Sequence, residues 1–397
     1  MGAFIKRFSA LFLLSILAGS CAMSEKEARR IADGYNYIIG TQTIGAGYKF
    51  TEKPVIVETA ERIKEMGSNV LKIALNPVED DVELDAFRNA SPLVLASECP
   101  ALKTVLDMDF KYIFMWVTVP GVNWSDGMTE DEKELEYNSI YSLAEYLISQ
   151  YSGSGKNFFI GHWEGDWLLL GNYSRTQDKV DSLRIKGMID WFSIRQKAVE
   201  AARKKSESDV QVFHYAELNR VNPALYYGYD RIVNRVLPYI DVDYVSYSSY
   251  ESTSEEISGA DYAELKDYLF KSLNYIEDNM KPRPEISGKR VFLGEFGYDL
   301  PLVGESPEEQ ARRAFNTIRA AIEWGCPFAL YWEMYDNEGA DKGFWMIDNN
   351  NEKQPVYYRY ESFYDVMYRY VYDYALKNGE APSNELFRKK AIEYLTE

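Results

Sequence analysis

The sequence predicts an α/β protein of one domain, built as a (β/α)8 TIM barrel. Eight short apolar runs alternate with amphipathic segments of helical period, and runs that are apolar on both faces are typical of strands in a parallel sheet. No glycine-rich phosphate loop follows any run, which favours a closed barrel and argues against a nucleotide cofactor. Residues 34–397 contain no Pro/Gly/Ser-rich linker or evident repeat, so we expect one barrel domain over this range.

Each predicted strand is one of these apolar runs, at residues 37–39, 70–75, 112–117, 158–163, 210–215, 244–248, 291–296 and 328–332. The helices are predicted from apolar positions that recur three or four residues apart. The clearest patterns lie near residues 131–150, 185–205, 260–279 and 307–324, with a tyrosine-rich stripe over residues 363–374. A helix that includes Ile56 is expected to end near Gly67, since glycine is a common C-cap residue.

Residues 1–20 have the order of an export signal. Lys6 and Arg7 precede an apolar run over residues 8–17, which is too short to span a bilayer. The run leads into Ala-Gly-Ser and then Cys21. This order resembles the lipobox of bacterial lipoproteins, which implies an acylated Cys21 as the mature N-terminus and anchoring at the bacterial cell envelope. Leu17 stands one residue earlier than the pattern prefers, so cleavage without acylation is the alternative. Residues 21–33 are predicted to form a short charged tether.

The composition excludes several classes of function. The formal net charge of −18 at pH 7 makes nucleic acids and anionic glycans poor partners. Beyond Cys21 the chain has only Cys99 and Cys326, which we expect to be buried thiols, since one pair is no disulfide framework in a chain this long. Two histidines and no cysteine cluster predict neither a metal site nor another cofactor.

Two of the predicted strands end in glutamate. Glu164 follows the fourth strand, and Glu295 ends the seventh within the segment Gly-Glu-Phe-Gly. Because the active site of such a barrel gathers at the carboxyl ends of its strands, the two carboxylates are expected on one face. The arrangement resembles the large barrel clan of retaining glycoside hydrolases, and Gly-Glu-Phe-Gly is similar to the nucleophile strand of its family five members. The resemblance implies that Glu164 is the acid/base and Glu295 the nucleophile.

Acetal cleavage accounts for such a pair, because it needs a protonated acid at the leaving oxygen and an anion on the other face of the sugar ring. We expect like-charge proximity and drying by Trp163 or Trp332 to raise the pKa of one carboxyl and leave the other low. Gly294 is expected to let the backbone approach the sugar closely. The alternative for each glutamate is a strand-end acid tied to a neighbouring basic residue.

The resemblance also assigns substrate-binding positions. Trp332 matches the tryptophan that floors the sugar site beside the nucleophile, and Tyr247 is expected to steady the nucleophile, with Tyr250 as the alternative. Two positions depart from the clan pattern. Trp163 replaces the asparagine that usually binds the sugar 2-hydroxyl, and Lys72 stands where an arginine often supports the nucleophile.

Further side chains are predicted on the same face of the barrel. Asp166, Glu217 and His214 are candidates for hydrogen bonds to sugar, with a solvated loop or barrel-interior packing as the alternative. Trp116 and Trp163 are candidates for stacking on sugar rings. The other residues expected there are His162, Glu333, Asp336, Trp124, Trp167 and Trp345.

Two functions fit these residues. The first is a retaining glycoside hydrolase that acts on a neutral poly- or oligosaccharide. The second is a glycan-binding protein, in which a degenerate barrel captures carbohydrate without cleaving it, and Trp163 in place of asparagine supports this alternative. A scaffold is disfavoured, because paired strand-end acids have no role in one.

Substitution of the predicted lipidation site tests the anchor. The wild-type protein should partition into the detergent phase. Cys21→Ser should release the protein from the membrane or block its processing, because serine cannot form the thioether to lipid. Phase partitioning and the mass of the N-terminal peptide measure this. Unchanged membrane association of the variant would contradict the lipobox interpretation.

Overall fold

The computed structural model describes residues 23–75, 87–257, 259–339 and 342–396. Within these residues, eight parallel strands close into a barrel in chain order, with the last strand paired to the first. The strands are β1 Ile39–Thr43, β2 Val70–Leu75, β3 Tyr112–Val117, β4 Asn157–Gly161, β5 Gln211–Leu218, β6 Tyr244–Ser248, β7 Val291–Phe296 and β8 Ala329–Tyr331. The predicted (β/α)8 barrel is confirmed. Cys21 and the signal segment lie outside the described residues.

Helices surround the barrel and connect its strands. They are α1 Glu25–Gly34, α2 Val55–Glu65, α3 Pro92–Glu98, α4 Pro100–Asp107, α5 Glu130–Gln150, α6 Gly165–Leu170, α7 Ser182–Lys204, α8 Val221–Tyr227, α9 Ile232–Arg235, α10 Tyr262–Asp278, α11 Pro307–Trp324, α12 Pro355–Asn378 and α13 Asn384–Thr396. Shorter helical turns cover Leu237–Tyr239, Glu251–Glu255 and Pro301–Val303. Thr129 and Asp261 are the N-cap residues of α5 and α10, and each forms a capping box that satisfies backbone N–H groups at the start of its helix.

Two strands differ in extent from the prediction. β1 begins only at Ile39, because Ile38 has a φ of 70°, which is outside the range of a strand. β5 runs on to Leu218, since its last residues continue to pair with β6. Glu217 is therefore a residue of the strand and faces a defined side of the sheet, whereas the sequence placed it in the following loop.

The segment expected to be a charged tether contains helix α1. Ser24 caps its start, and Ala28 and Ala32 are fully buried. α1 packs against α12, where the Tyr368 hydroxyl donates a hydrogen bond of 2.9 Å to Asp33. The apolar face consists of two small alanines and Ile31 between charged residues, so its burial depends on a partner helix far away in the sequence.

The barrel interior is packed solid beneath the strand ends. Phe114 and Phe159 stack with ring centroids 4.2 Å apart, and the Tyr215 ring lies above them within the same apolar cluster. Gly161 makes room for that ring, since a Cβ at this position would lie 2.1 Å from it. A site can therefore form only on top of this packing, at the carboxyl ends of the strands.

A buried ion pair ties α5 and α7 to the barrel. Arg195 donates to Glu136 over 2.6 Å, and its other nitrogens donate to the carbonyl oxygens of Val117 and Gly161. Both side chains are essentially inaccessible to solvent. The guanidinium thus connects two helices to the ends of β3 and β4.

Three further properties concern the described residues. None of their helices is both long and apolar enough to cross a membrane. No group of three or more His, Cys, Asp or Glu side chains among them is placed to hold a metal ion. Cys99 and Cys326 are both buried, in agreement with the expectation for these thiols.

Breaking the buried ion pair should destabilise the fold. Arg195→Met is expected to lower the free energy of unfolding by about 3–5 kcal/mol, because Glu136 is left as a buried charge without its partner. Urea unfolding followed by circular dichroism measures the loss. The control is Arg312→Met, which removes an exposed pair with Glu309 and should cost at most about 1 kcal/mol. Equal losses in the two variants would contradict the expected role of Arg195.

Candidate active site

A cleft of about 380 Å³ opens at the carboxyl ends of the strands. Glu164 and Glu295 both line it. The other lining residues are Trp163, Trp167, Arg175, Asn219, Arg220, Tyr250, Glu251, Ser254, Glu255, Asp299, Leu302, Trp332, Glu338, Lys342 and Phe344. The two glutamates singled out from the sequence therefore share one cleft.

The hydroxyl of Ser248 bridges these two glutamates. Its Oγ lies 2.6 Å from Oε1 of Glu164 and 3.3 Å from Oε2 of Glu295. The two carboxylate oxygens are consequently no more than about 6 Å apart, which is closer to the separation in retaining glycosidases, about 5–5.5 Å, than to the wider one in inverting enzymes. The side chain of Ser248 is itself buried at the end of β6.

Glu295 enters the cleft because β7 is irregular. Its pairing with β6 shifts register between Tyr247 and Ser248, so that one extra residue is inserted in β7. Such a bulge redirects a side chain that regular alternation would turn to the other face. Gly294 is tightly enclosed there, since a Cβ would lie 1.7 Å from the Ser246 hydroxyl. The glycine therefore serves packing inside the barrel, and the expected close approach to a sugar is not its evident purpose.

A buried lysine holds the nucleophile candidate from below. Lys72 Nζ lies 2.9 Å from Glu217, 3.0 Å from Glu295 and 3.1 Å from the Gly294 carbonyl oxygen. The ammonium also lies 4.5 Å from the ring centroid of Trp116. Burial lowers the pKa of Lys72, but the two carboxylates outweigh it and raise this pKa above its ordinary value. The side chain is therefore a cation in the barrel interior.

Glu217 lies beneath the cleft and uses both carboxylate oxygens within the protein. Oε1 accepts the backbone N–H of Glu164 over 3.1 Å. Oε2 accepts from the Ser246 hydroxyl over 2.7 Å and from Lys72. Glu217 is fully buried, so it positions the cleft residues, and the structure does not support the expected hydrogen bond to sugar.

The pKa values of the two cleft glutamates reflect burial and charge. Burial raises the pKa of Glu164 to about 7, the Ser248 hydroxyl lowers it, and the charge of Glu217 raises it. Burial also raises the pKa of Glu295 above its ordinary value, against the opposing effect of Lys72. Burial and the repulsion between the nearby carboxylates therefore favour a proton on this pair of glutamates.

The predicted tryptophans lie at different depths. Trp163 and Trp332 both line the cleft together with the two glutamates. Trp116 lies deeper in the inner cluster, with its ring centroid 6.2 Å from that of Trp332. It covers Lys72 and belongs to the wall behind the cleft, so a direct stacking contact with a sugar is not supported.

Tyr247 faces away from the cleft. Its hydroxyl donates to Glu251 over 3.1 Å and lies 2.6 Å from the Ser252 hydroxyl. Side chains of a strand alternate between faces, so Ser246 and Ser248 point into the barrel and Tyr247 points out. The residue that contacts Glu295 from β6 is Ser248, which corrects the expectation for Tyr247.

His214 and Asp166 also serve the framework. His214 lies on the outer face of β5, fully buried, with its ring centroid 6.2 Å from that of Phe192 in α7. Asp166 accepts the backbone N–H groups of Asn219, Arg220 and Ile232 over 2.8–3.1 Å. Neither side chain lines the cleft, so the expected hydrogen bonds of His214 and Asp166 to a sugar are not supported.

The remaining predicted polar residues organise nearby loops. His162 accepts the Glu217 N–H at Nε2 and contacts the Trp163 carbonyl oxygen through Nδ1. Glu333 is buried and accepts the Ile44 N–H. Asp336 accepts three backbone N–H groups of the loop after β8.

Several residues of the cleft or directly beneath it were missed from the sequence. Ser246 and Ser248 could have been found from their spacing of two on a strand, which places both on one face. One wall of the cleft is formed by ion pairs: Arg175 contacts Glu255 at 2.6 Å, and Arg220 contacts Glu251 at 3.2 Å. These pairs join loops that are distant in the chain, so no local pattern reveals them.

No protein-family model and no curated protein matches the chain by sequence. Solved structures match it with low identity. A GH5_18 structure from Streptomyces cattleya, in complex with Manβ1-4GlcNAc, aligns with a TM-score of 0.56 and 11% identity over 87% of this chain and 82% of that chain. An exo-β-1,4-mannosidase from Opitutaceae bacterium strain TAV5 aligns with a TM-score of 0.53 and 11% identity over 84% and 60%. The chain thus has the (β/α)8 fold found in these glycoside hydrolases.

Proposed function

We propose that the protein is a retaining glycoside hydrolase that acts on a neutral poly- or oligosaccharide. The observation that carries the proposal is the hydroxyl of Ser248, which contacts both Glu164 and Glu295 and so brings the two carboxylates within about 6 Å. At this short separation one carboxylate can attack the anomeric carbon directly, with no room for a water molecule between them. The barrel fold shared with glycoside hydrolases supports the same class of reaction.

The surroundings of the two glutamates distinguish their roles. Glu295 lies 3.0 Å from the Lys72 ammonium, which stabilises its anionic form and suits a nucleophile. Among the described residues no cation is in contact with Glu164, and burial raises its pKa to about 7, which suits a group that must hold a proton at the start and accept one later. We therefore assign Glu295 as the nucleophile and Glu164 as the acid/base.

The reaction then proceeds in two displacements. Glu295 forms a bond to the anomeric carbon while the glycosidic bond breaks and Glu164 gives its proton to the leaving oxygen. In the second step water attacks the same carbon, Glu164 takes a proton from it, and the bond to Glu295 breaks. Two inversions restore the original anomeric configuration.

The cleft favours a neutral substrate. Among its described lining residues, the basic side chains of Arg175, Arg220 and Lys342 each have an acidic neighbour within 4 Å. A carboxylated or sulfated sugar would therefore meet a surplus of carboxylates and no free cation. Trp332 and Trp163 offer ring faces for apolar sugar surfaces.

We further propose that this activity takes place at the cell envelope, on the basis of the lipobox-like segment. An acylated Cys21 would hold the barrel at a bacterial membrane surface, with the cleft available to glycans outside the cytoplasm. The membrane contact would then be made by the lipid, and the carbohydrate would be the partner of the barrel.

A binding protein remains the alternative function. Trp163 lines the cleft directly before Glu164, at the position where the clan pattern has asparagine. A folded protein that is thermally stabilised by oligosaccharides, but releases no reducing ends across a broad panel of neutral glycans, would favour this alternative.

Replacement of Glu164 by an isosteric amide should change how stability depends on pH. The pKa of Glu164 is raised to about 7, so the carboxyl increasingly destabilises the fold as pH rises from its ordinary value of 4.5 through 7. Glu164→Gln should therefore melt a few °C above the wild type at pH 8 and show little gain at pH 4.5. The exposed Glu130→Gln is the control. A gain of equal size at both pH values would contradict the raised pKa.

Removal of the acid/base should have an effect that depends on the leaving group. Glu164→Ala is expected to lower kcat on glycans by about 100- to 10,000-fold, because a poor leaving group needs the proton. Activated aryl glycosides need no such help in the first step, and azide should partly restore their turnover, since it attacks without a general base. Steady-state rates with and without azide test this. Equal losses on both substrate types would point to another acid.

A trapped intermediate tests the nucleophile. A 2-deoxy-2-fluoro glycoside of the correct sugar should label the peptide that contains Glu295. The fluorine slows both displacements, and an activated leaving group speeds the first one, so that the covalent adduct accumulates. Mass spectrometry of peptides locates the label, and Glu295→Gln should abolish both labelling and turnover. A first product of inverted configuration by NMR, or labelling elsewhere, would overturn the assignment.

A further inference from the structure

The Ser248 hydroxyl contacts two carboxyl groups with a single proton. Its Oγ lies 2.6 Å from Glu164 and 3.3 Å from Glu295, and its side chain is almost fully buried. A hydroxyl donates one hydrogen bond and accepts through its lone pairs. It can therefore donate to one of these carboxyl groups while it accepts from the other, provided that the other is protonated.

We propose that the Ser248 hydroxyl follows the negative charge during the reaction, donating to Glu295 in the free enzyme and to Glu164 in the glycosyl-enzyme. This inference rests on the proposed function and assigns Ser248 as a positioning residue for both steps. It acts on the two glutamates and need not touch the substrate.

In the free enzyme, the charges around Ser248 determine the direction. The Lys72 ammonium lies 3.0 Å from Glu295 and has no contact with Glu164. In the proposed switch, the ammonium beside Glu295 opposes the effect of burial on its pKa and makes Glu295 the carboxylate of the pair, while Glu164 holds the proton. Glu164 then donates to the Ser248 Oγ across the 2.6 Å contact, and Ser248 directs its own proton at Glu295, whose Oε2 at 3.3 Å lies beyond the usual O–H···O range of about 2.5–3.0 Å.

In the glycosyl-enzyme, the stronger acceptor is on the other side. The first step forms the bond between Glu295 and the anomeric carbon, breaks the glycosidic bond and moves the Glu164 proton to the leaving oxygen. Glu295 is now an uncharged ester, and Glu164 is a carboxylate. Because hydrogen bonds to charged acceptors are about twice as strong as neutral ones, the hydroxyl turns about its Cβ–Oγ bond toward Glu164. No heavy atom has to move.

The second step returns the hydroxyl to its first direction. Water forms a bond to the anomeric carbon and gives a proton to Glu164, while the bond to Glu295 breaks and its charge is restored. The other charged groups beside this pair are Glu217 and Lys72, and both are held in place by their own contacts. Tyr250 also lies near both acids, as burial and their charges raise its pKa.

The sign of the expected pH effect follows from this switch. A donor hydrogen bond stabilises the charged form of a carboxyl and so lowers its pKa. Ser248→Ala should therefore raise the pKa of Glu295 in the free enzyme and that of Glu164 in the glycosyl-enzyme. The acidic limb of the pH–rate profile of each step should therefore move to higher pH by about one unit or more. The loss of a hydrogen bond to a charged carboxylate changes its pKa by about this amount.

Two rate measurements separate the steps. The pH profile of kcat/KM on an activated aryl glycoside reports the first step, and the pH profile of reactivation of the 2-fluoro adduct reports the second. Ser248→Ala should shift both acidic limbs upward and slow both steps by about 10- to 100-fold at pH 6. A shift confined to one step, or to neither, would overturn the proposed switch.

Two variants serve as controls for a purely structural effect. Ser248→Thr retains the hydroxyl and should keep both acidic limbs within a few tenths of a pH unit of the wild type. Ser249→Ala removes a neighbouring buried hydroxyl that donates to the backbone oxygen of Glu295 and should leave the limbs in place. If either control shifts the limbs as Ser248→Ala does, the effect comes from packing and the proposal fails.

A titration without substrate keeps the inference separate from the proposed function. In the Glu164→Gln background, NMR of 13C-labelled glutamate carboxyls should show that Ser248→Ala raises the pKa of Glu295. If the pKa of Glu295 rises in this way but the wild type hydrolyses no glycan, the proposed hydrolase function is rejected and with it the two-step switch. The hydrogen bond between Ser248 and Glu295 would still be supported. An unchanged pKa of Glu295, with hydrolysis intact, would reject the inference alone.

Discussion

The buried ammonium of Lys72 is the interaction on which the site depends. It joins three strands of the barrel by contacting Glu217 of β5 and both the carboxylate of Glu295 and the carbonyl of Gly294 in β7. An isolated charge in such an interior costs several kcal/mol, and two carboxylates without a cation would repel each other. The lysine therefore allows carboxyl groups to lie above a fully packed aromatic core, where they are largely shielded from solvent.

Hydroxyl groups of β6 extend this charged cluster to the cleft. Ser246 contacts Glu217, and Ser248 contacts Glu164 and Glu295. Small hydroxyl groups fit between carboxylates without filling the space that a substrate needs. Each has one donor proton, which can rotate toward either neighbour. The cluster contains three carboxyl groups and one ammonium, and burial favours a proton on one of the two cleft glutamates. This supply of a single mobile proton is what double displacement requires.

Much of the barrel was readable from local patterns. Apolar runs predicted the strands, and apolar positions three or four residues apart predicted the principal helices, because burial on both faces or on one face leaves a direct pattern in nearby residues. The end of β5 and helix α1 were not readable in this way. Glu217 belongs to the strand because β6 continues to pair with it, and the alanines of α1 are buried because α12 covers them. Both depend on residues far away in the chain.

The sequence by itself determined that Glu164 and Glu295 stand at the carboxyl ends of two strands, since strand position and fold class follow from local hydrophobic pattern. Tertiary structure decided which side chains accompany them. The bulge in β7 turns Glu295 inward, and the register of β6 presents Ser248 where Tyr247 was expected. Asp166 is withdrawn from the cleft because backbone N–H groups of other segments surround it. Facing direction and partner choice depend on register between distant strands, which no local pattern records.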